Sequence, residues 1–157
     1  MTSGELKKLY LDDLTVGQRF TSDTYQVDAD RMKAFAAEFD PQPFHLDEEA
    51  ARNSIFQGLA ASGWLTMAAT MRLIVASMPI ANGIIGLRTE IEWPRATRAG
   101  DTLRVESEII EIRPSQSKPN QAIVSVRNTT VNQLGEPVQI FVGKILVFKR
   151  PDSPTNG

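Results

Sequence analysis

The chain has 157 residues, a formal net charge of −2, 41% hydrophobic and 23% charged residues, no cysteine and one histidine. That length favours one domain with a sizeable core, and the charge gives no electrostatic case for nucleic acid or an anionic membrane as partner. Without cysteine there are no disulfides, thiolate metal sites or cysteine nucleophiles, and with one histidine there is no histidine-rich metal site.

Residues 1–9 are polar, lack the apolar run of a signal peptide and are expected to fray. A reducing, cytoplasmic location suits a cysteine-free chain. Leu11 to Phe20 is a turn leading into a strand over Arg19–Val27, with Phe20, Tyr25 and Val27 as its bulky members. Asp28 caps a helix over Ala29–Phe39, in which Met32, Phe35, Ala36 and Phe39 recur at helical spacing. The helix stops at Asp40-Pro41. The stretch Asp40-Pro41-Gln42-Pro43-Phe44-His45-Leu46-Asp47 follows, and its two prolines predict a stiff, non-helical path from Asp40 to His45. Asp47 caps a short helix over Glu48–Asn53, with two glutamates in its first turn.

After a connector, Ser62 starts the longest apolar segment, Gly63–Met78. Trp64, Leu65, Met67, Met71, Leu73, Ile74 and Val75 cover nearly all of its circumference, which predicts a core helix buried on most sides. No apolar stretch approaches the roughly 20 residues of a membrane span. Pro79 and Asn82-Gly83 end the helix, and from Ile84 the period becomes that of strands. Four are predicted, over Ile84–Trp93, Thr102–Arg113, Gln121–Asn132 and Val138–Lys149, with turns at Arg98–Asp101 and Gly135-Glu136-Pro137. Residues 151–157 read as a flexible tail. One strand, then helices, then four antiparallel strands is an α+β order, most simply a long helix wrapped by a sheet. Residues 10–150 form that single domain. Its exposed sheet edges and faces make a homodimer or higher homo-oligomer the expected state.

Asp40 and His45 are a carboxylate and an imidazole able to share one water as a general acid/base pair. On these residues alone, a loop histidine that caps the Asp47 helix is the plainer reading and stays open. Ser62-Gly63 lies at a helix mouth, where the first N–H groups have no internal partner and glycine lets a ligand approach closely. Such an end suits a developing oxyanion, and Ser62 also serves as the cap. Ser62 lacks the context of a nucleophile. Trp64, Met67 and Met71 read as core rather than a cofactor box. Arg88, Arg95 and Arg98 are candidates to meet an anion, although scattered arginines are usually solvated surface.

Three linked stretches resemble the MaoC-like hydratases/dehydratases, the (R)-specific enoyl-CoA hydratase group of the hotdog fold. Met32–Ala36 with Asp40–Asp47 is similar to the family's D-x-N-P-x-H-x-D motif. Phe56 with Leu59–Leu65 resembles its A-H/S-G-hydrophobic motif, and Arg98–Leu103 its P-G-D-T-L turn. The resemblance implies a helix wrapped by a curved antiparallel sheet of about five strands, and a dimer. It makes Asp40 and His45 the catalytic pair and the Gly63 N–H the oxyanion donor, with Gln42, Pro43 and Ser62 in support and Phe39, Phe44 and Trp64 as candidates for the substrate pocket. Gln42 stands where the motif has Asn, and Glu38-Phe39 replace a small pair, which predicts a reshaped pocket. The implied reaction is reversible hydration of a trans-2-enoyl-CoA to an (R)-3-hydroxyacyl-CoA. It needs no metal or redox cofactor, coenzyme A being part of the substrate. Acyl-CoA thioester hydrolysis and non-catalytic acyl-CoA binding are the alternatives on the same scaffold.

Overall fold

The computed structural model describes residues 6–152. Of the ends expected to fray, residues 1–5 and 153–157 lie outside that range. Leu9 is tied down: its N–H donates to the Pro79 carbonyl at 2.9 Å and its carbonyl accepts from Ala81 at 2.8 Å. A turn of 3-10 helix at Leu11–Asp13 leads to strand β1, Arg19–Gln26. Helix α1, Ala29–Phe39, follows, with the Asp28 carboxylate accepting from the Arg31 N–H as the cap. Its apolar face buries Met32 and Ala36 completely.

The stiff path after Asp40 is helical over part of its length, contrary to expectation. Pro43–Leu46 is a single helical turn, α2, and His45 sits in it. A proline at the first helical position brings its φ already set, and the N–H it lacks is one the helix would not use. Asp47 then caps α3, Glu48–Arg52, accepting from Ala50.

Helix α4, Gly63–Ser77, is the long apolar segment. Leu73, Ile74 and Met78 pack against Val105, Ile109, Val124, Val126, Ile145 and Val147 of the sheet. Burial of one such side chain contributes about 1.5–3 kcal/mol. Contrary to what its composition predicted, the helix is not enclosed on most sides. Trp64 is 56% and Val75 55% exposed, because the sheet covers only one side of it.

The sheet is antiparallel, with β2 Ile85–Glu92, β3 Thr102–Pro114, β4 Gln121–Val131 and β5 Pro137–Phe148. Its order is β1-β3-β4-β5-β2. Register shifts in all of its strand pairs mark bulges, which bend and twist strands. The helix-against-sheet architecture is the one the resemblance implied. The strand order has one consequence that short turns between successive strands did not suggest. β2 is an edge strand and β3 lies near the opposite edge, so residues 93–101 must cross the molecule. They do so beside the start of α4, where the Ala61 N–H donates to the Thr97 carbonyl at 2.9 Å and Thr66 Oγ1 to Thr97 Oγ1 at 3.0 Å. No helix of the described residues is long and apolar enough to cross a membrane.

Candidate active site

The end of α1, the α2 turn and the mouth of α4 converge on Asp40. Its carboxylate Oδ2 lies 3.2 Å from His45 Nε2 and accepts from Ser62 Oγ at 2.7 Å. Oδ1 accepts from Gln42 Nε2 at 2.6 Å. The longer amide at position 42 therefore holds the carboxylate directly. Burial pushes the Asp40 carboxyl up, but the hydrogen bonds from Ser62 and Gln42, joined by His45 when its ring is protonated, outweigh it and hold its pKa below the usual carboxylate value.

His45 is buried, and its Nδ1 lies 2.7 Å from the Ala60 carbonyl oxygen. A carbonyl only accepts, so Nδ1 carries the proton, and in the neutral ring Nε2 presents a bare lone pair toward Asp40. Two acceptors facing each other at this distance are at ease only with a proton source between or beside them. A water donating one hydrogen to each meets that need.

Ser62 has two roles at once. Its Oγ donates to Asp40 and accepts from the Trp64 N–H at 3.2 Å, capping α4. Gly63 follows, and no described residue accepts from its N–H. This donor sits at the positive end of a 15-residue helix. A Cβ on Gly63 would lie 2.6 Å from Cε2 of the Trp93 indole, so only glycine fits there without a shift.

Around these groups is a cavity of about 300 Å³, lined by Asp40, Gln42, Phe44, His45, Phe56, Ala61, Gly63, Trp64, Thr66, Trp93, Arg95, Ala96 and Thr97. Phe44 and Trp64 thus fall where the pocket candidates were expected. Phe39 does not. It is 63% exposed and packs on Phe35 with ring centroids 5.1 Å apart, because the last turn of α1 points it outward before the chain bends. Pro43 opens α2 without lining the cavity. Thr97 and Trp93, which sequence reasoning missed as site residues, arrive on the crossover. The Trp93 indole N–H donates to buried Gln139 at 2.9 Å, and its ring meets Trp64 edge-on at 5.6 Å. Arg95 reaches the cavity wall but is paired with Glu136 at 2.8 Å. Arg88 is exposed beside Glu90, and Arg98 is turned onto backbone carbonyls. Met67 and Met71 pack against the core. The described residues contain no cluster of three or more carboxylates and imidazole able to hold a metal ion.

Residues 14–141 match the model of the FAS1-like dehydratase domain region. A curated Bacillus subtilis protein, the uncharacterized YdeM, is 34% identical over 142 residues, covering 88% of this chain and 96% of its own. Among solved structures, a MaoC-like dehydratase from Rhodospirillum rubrum is 58% identical with a TM-score of 0.90, over 92% of this chain and 99% of that one. An (R)-hydratase from Pseudomonas aeruginosa is 26% identical with a TM-score of 0.73, over 96% of both chains.

Proposed function

Since the chain belongs to the FAS1-like dehydratase-domain family, within the MaoC-like hotdog hydratases and dehydratases, we propose that it hydrates a trans-2-enoyl-CoA reversibly to an (R)-3-hydroxyacyl-CoA. The observation that carries this reading is His45 Nε2 facing Asp40 Oδ2 at 3.2 Å, beside a helix mouth whose Gly63 N–H is unclaimed among the described residues.

The chemistry follows from those positions. A water on the cavity side, bridging Asp40 and His45, gives up a proton to Nε2 as its oxygen adds to C3 of the enoyl thioester. The electron pair of the double bond moves onto the thioester carbonyl, and the enolate oxygen gathers charge against the Gly63 N–H and the α4 dipole. The proton taken from water is returned to C2 from the same face. The atoms of one water are then all accounted for, and the same groups run the reverse elimination. Ser62 and Gln42 keep Asp40 ionised and aimed, so Asp40 orients the water while His45 carries its proton.

A homodimer belongs to this reading. The outward face of α4 bears Trp64 and Val75, and the edge strand β2 bears Ile85 and Leu87, all exposed. A second copy would cover apolar surface that a lone chain leaves in water, and it would bound the cavity on the Trp64 side.

The test is loss of enoyl absorbance with trans-2-enoyl-CoAs of increasing length, with a thiol reagent in parallel. Turnover without thiol release supports hydration. Thiol release would make the protein a thioesterase, and ligand-dependent thermal stabilisation without either would make it a binding protein. Asp40→Asn and His45→Gln should each lower turnover by about 10²–10⁴-fold, the usual worth of a positioned acid/base group, with circular dichroism unchanged.

A further inference from the structure

Arg98 lies outside the catalytic cavity, yet its guanidinium reaches across the fold to three backbone carbonyls. Nη1 donates to Gly58 at 2.9 Å and to Leu59 at 3.2 Å, and Nη2 donates to Phe56. A rigid fork of donors suits several acceptors at fixed angles better than a single ammonium does. The carbonyls belong to the connector between α3 and α4. That connector carries Gln57 at φ 55°, a left-handed conformation that a non-glycine residue keeps only when its surroundings impose it. Arg98 is itself anchored. Its N–H donates to Asp101 Oδ2 at 2.8 Å, Asp101 returns an N–H to the Arg98 carbonyl at 3.1 Å, and Gln133 holds Asp101 Oδ1 at 3.0 Å.

The residue after the clamped segment is Ala60, whose carbonyl accepts from His45 Nδ1 at 2.7 Å and whose N–H donates to the Phe44 carbonyl at 3.1 Å. The tautomer of a neutral imidazole follows the better acceptor available to it. Here the two acceptors compete from opposite sides: the Ala60 carbonyl at Nδ1 and the Asp40 carboxylate at Nε2. A carboxylate is the stronger acceptor of the two. Only a carbonyl held close and in line keeps the proton on Nδ1 and leaves Nε2 bare.

We propose that Arg98 is a positioning residue for His45. By tying the carbonyls of Phe56, Gly58 and Leu59, it holds the Ala60 carbonyl where it fixes the tautomer with a free Nε2. Without the clamp the connector relaxes at Gln57, the Ala60 carbonyl withdraws, and the proton moves to Nε2 to bond Asp40. The ring then has no lone pair for the water. The catalytic part of this inference rests on the hydratase reading; the tautomer part does not.

Two readouts separate them. Because His45 is the only histidine, the ¹⁵N signals of its ring are unambiguous. In the intact protein with the imidazole neutral, the Nδ1–H form is expected. In Arg98→Met the Nε2–H form or a mixture is expected, and kcat for an enoyl-CoA falls about 10²-fold, as small misplacements of a reacting group do, with KM little changed. Arg98→Lys, with one donor head for three carbonyls, recovers part of both. Should Arg98→Met fail to fold, Arg98→Lys and Arg98→Gln carry the same two readouts. An unchanged Nδ1–H signature in folded Arg98 variants overturns the proposal, whatever happens to kcat. If the intact protein turns over no enoyl-CoA but the tautomer shifts as expected, the hydratase reading fails and the clamp stands.

Discussion

At the scale of the residue, the hydroxyl of Ser62 does two jobs that a single substitution can pull apart. It caps α4 and it holds Asp40 ionised. Ser62→Ala should cost about 1 kcal/mol of stability as a lost cap, read as a lower denaturation midpoint. It should also move the acid limb of the rate profile to higher pH. Asp40 has its pKa depressed in the folded state, so the stability it contributes is full above its unfolded value and is lost as pH falls through the folded value. Removing the Ser62 donor leaves burial to push the carboxyl up, and both the catalytic and the stability limbs shift upward. A limb that stays put while stability falls would show that Ser62 is a cap alone. Asp40, His45, Gly63 and Ser62 were legible because they stand in two short runs whose chemistry is local. That Gln42 grips the carboxylate was legible only as a capacity of its amide. That Phe39 misses the cavity was not legible, since helical spacing states which face a residue occupies but not where the helix ends relative to a pocket.

At the scale of the element, the mouth of α4 and the crossover are fitted to one another. Gly63 leaves no room for a Cβ against the Trp93 ring. Gly63→Ala should destabilise by about 1–3 kcal/mol through overpacking and depress turnover by crowding the oxyanion donor. Trp93→Ala removes the ring atoms that clash, at the cost of the bond to Gln139. Thermal melts of the two single variants and the double variant should be non-additive by about 0.5–3 kcal/mol, with the double variant more stable than the sum predicts. Additive losses would mean that the two elements do not press on each other. Helices and strands were readable to within a residue or so because periods of 3.6 and 2 are written in the side chains. The α2 turn escaped because a proline in sequence reads as a breaker, when at a first helical position it is a starter. The connection from β2 to β3 escaped for a different reason. Periodicity marks strands but carries no information on their order in a sheet, so Trp93, Arg95 and Thr97 had no visible link to His45.

At the scale of the whole molecule, the surface left bare by the one-sided sheet bears on assembly. Sedimentation should give a mass about twice the 17.4 kDa of the chain, in keeping with the proposed homodimer. Leu87→Lys and Val75→Glu place charges on the exposed apolar face and should shift that mass toward the monomer; a monomeric parent protein would remove this part of the proposal. The strand order also makes the site depend on pairing between distant parts of the sequence. Trp93 reaches Gly63 only when β2 is paired at one edge and β3 is in register across the sheet, contacts of long sequence separation that form slowly. Both tryptophans of the chain, Trp64 and Trp93, line the same cavity. Tryptophan emission from this protein therefore has a single address. It reports the filling of the cavity during a ligand titration and, because Trp64 also stands on the face a second copy would cover, the pairing of two chains during assembly.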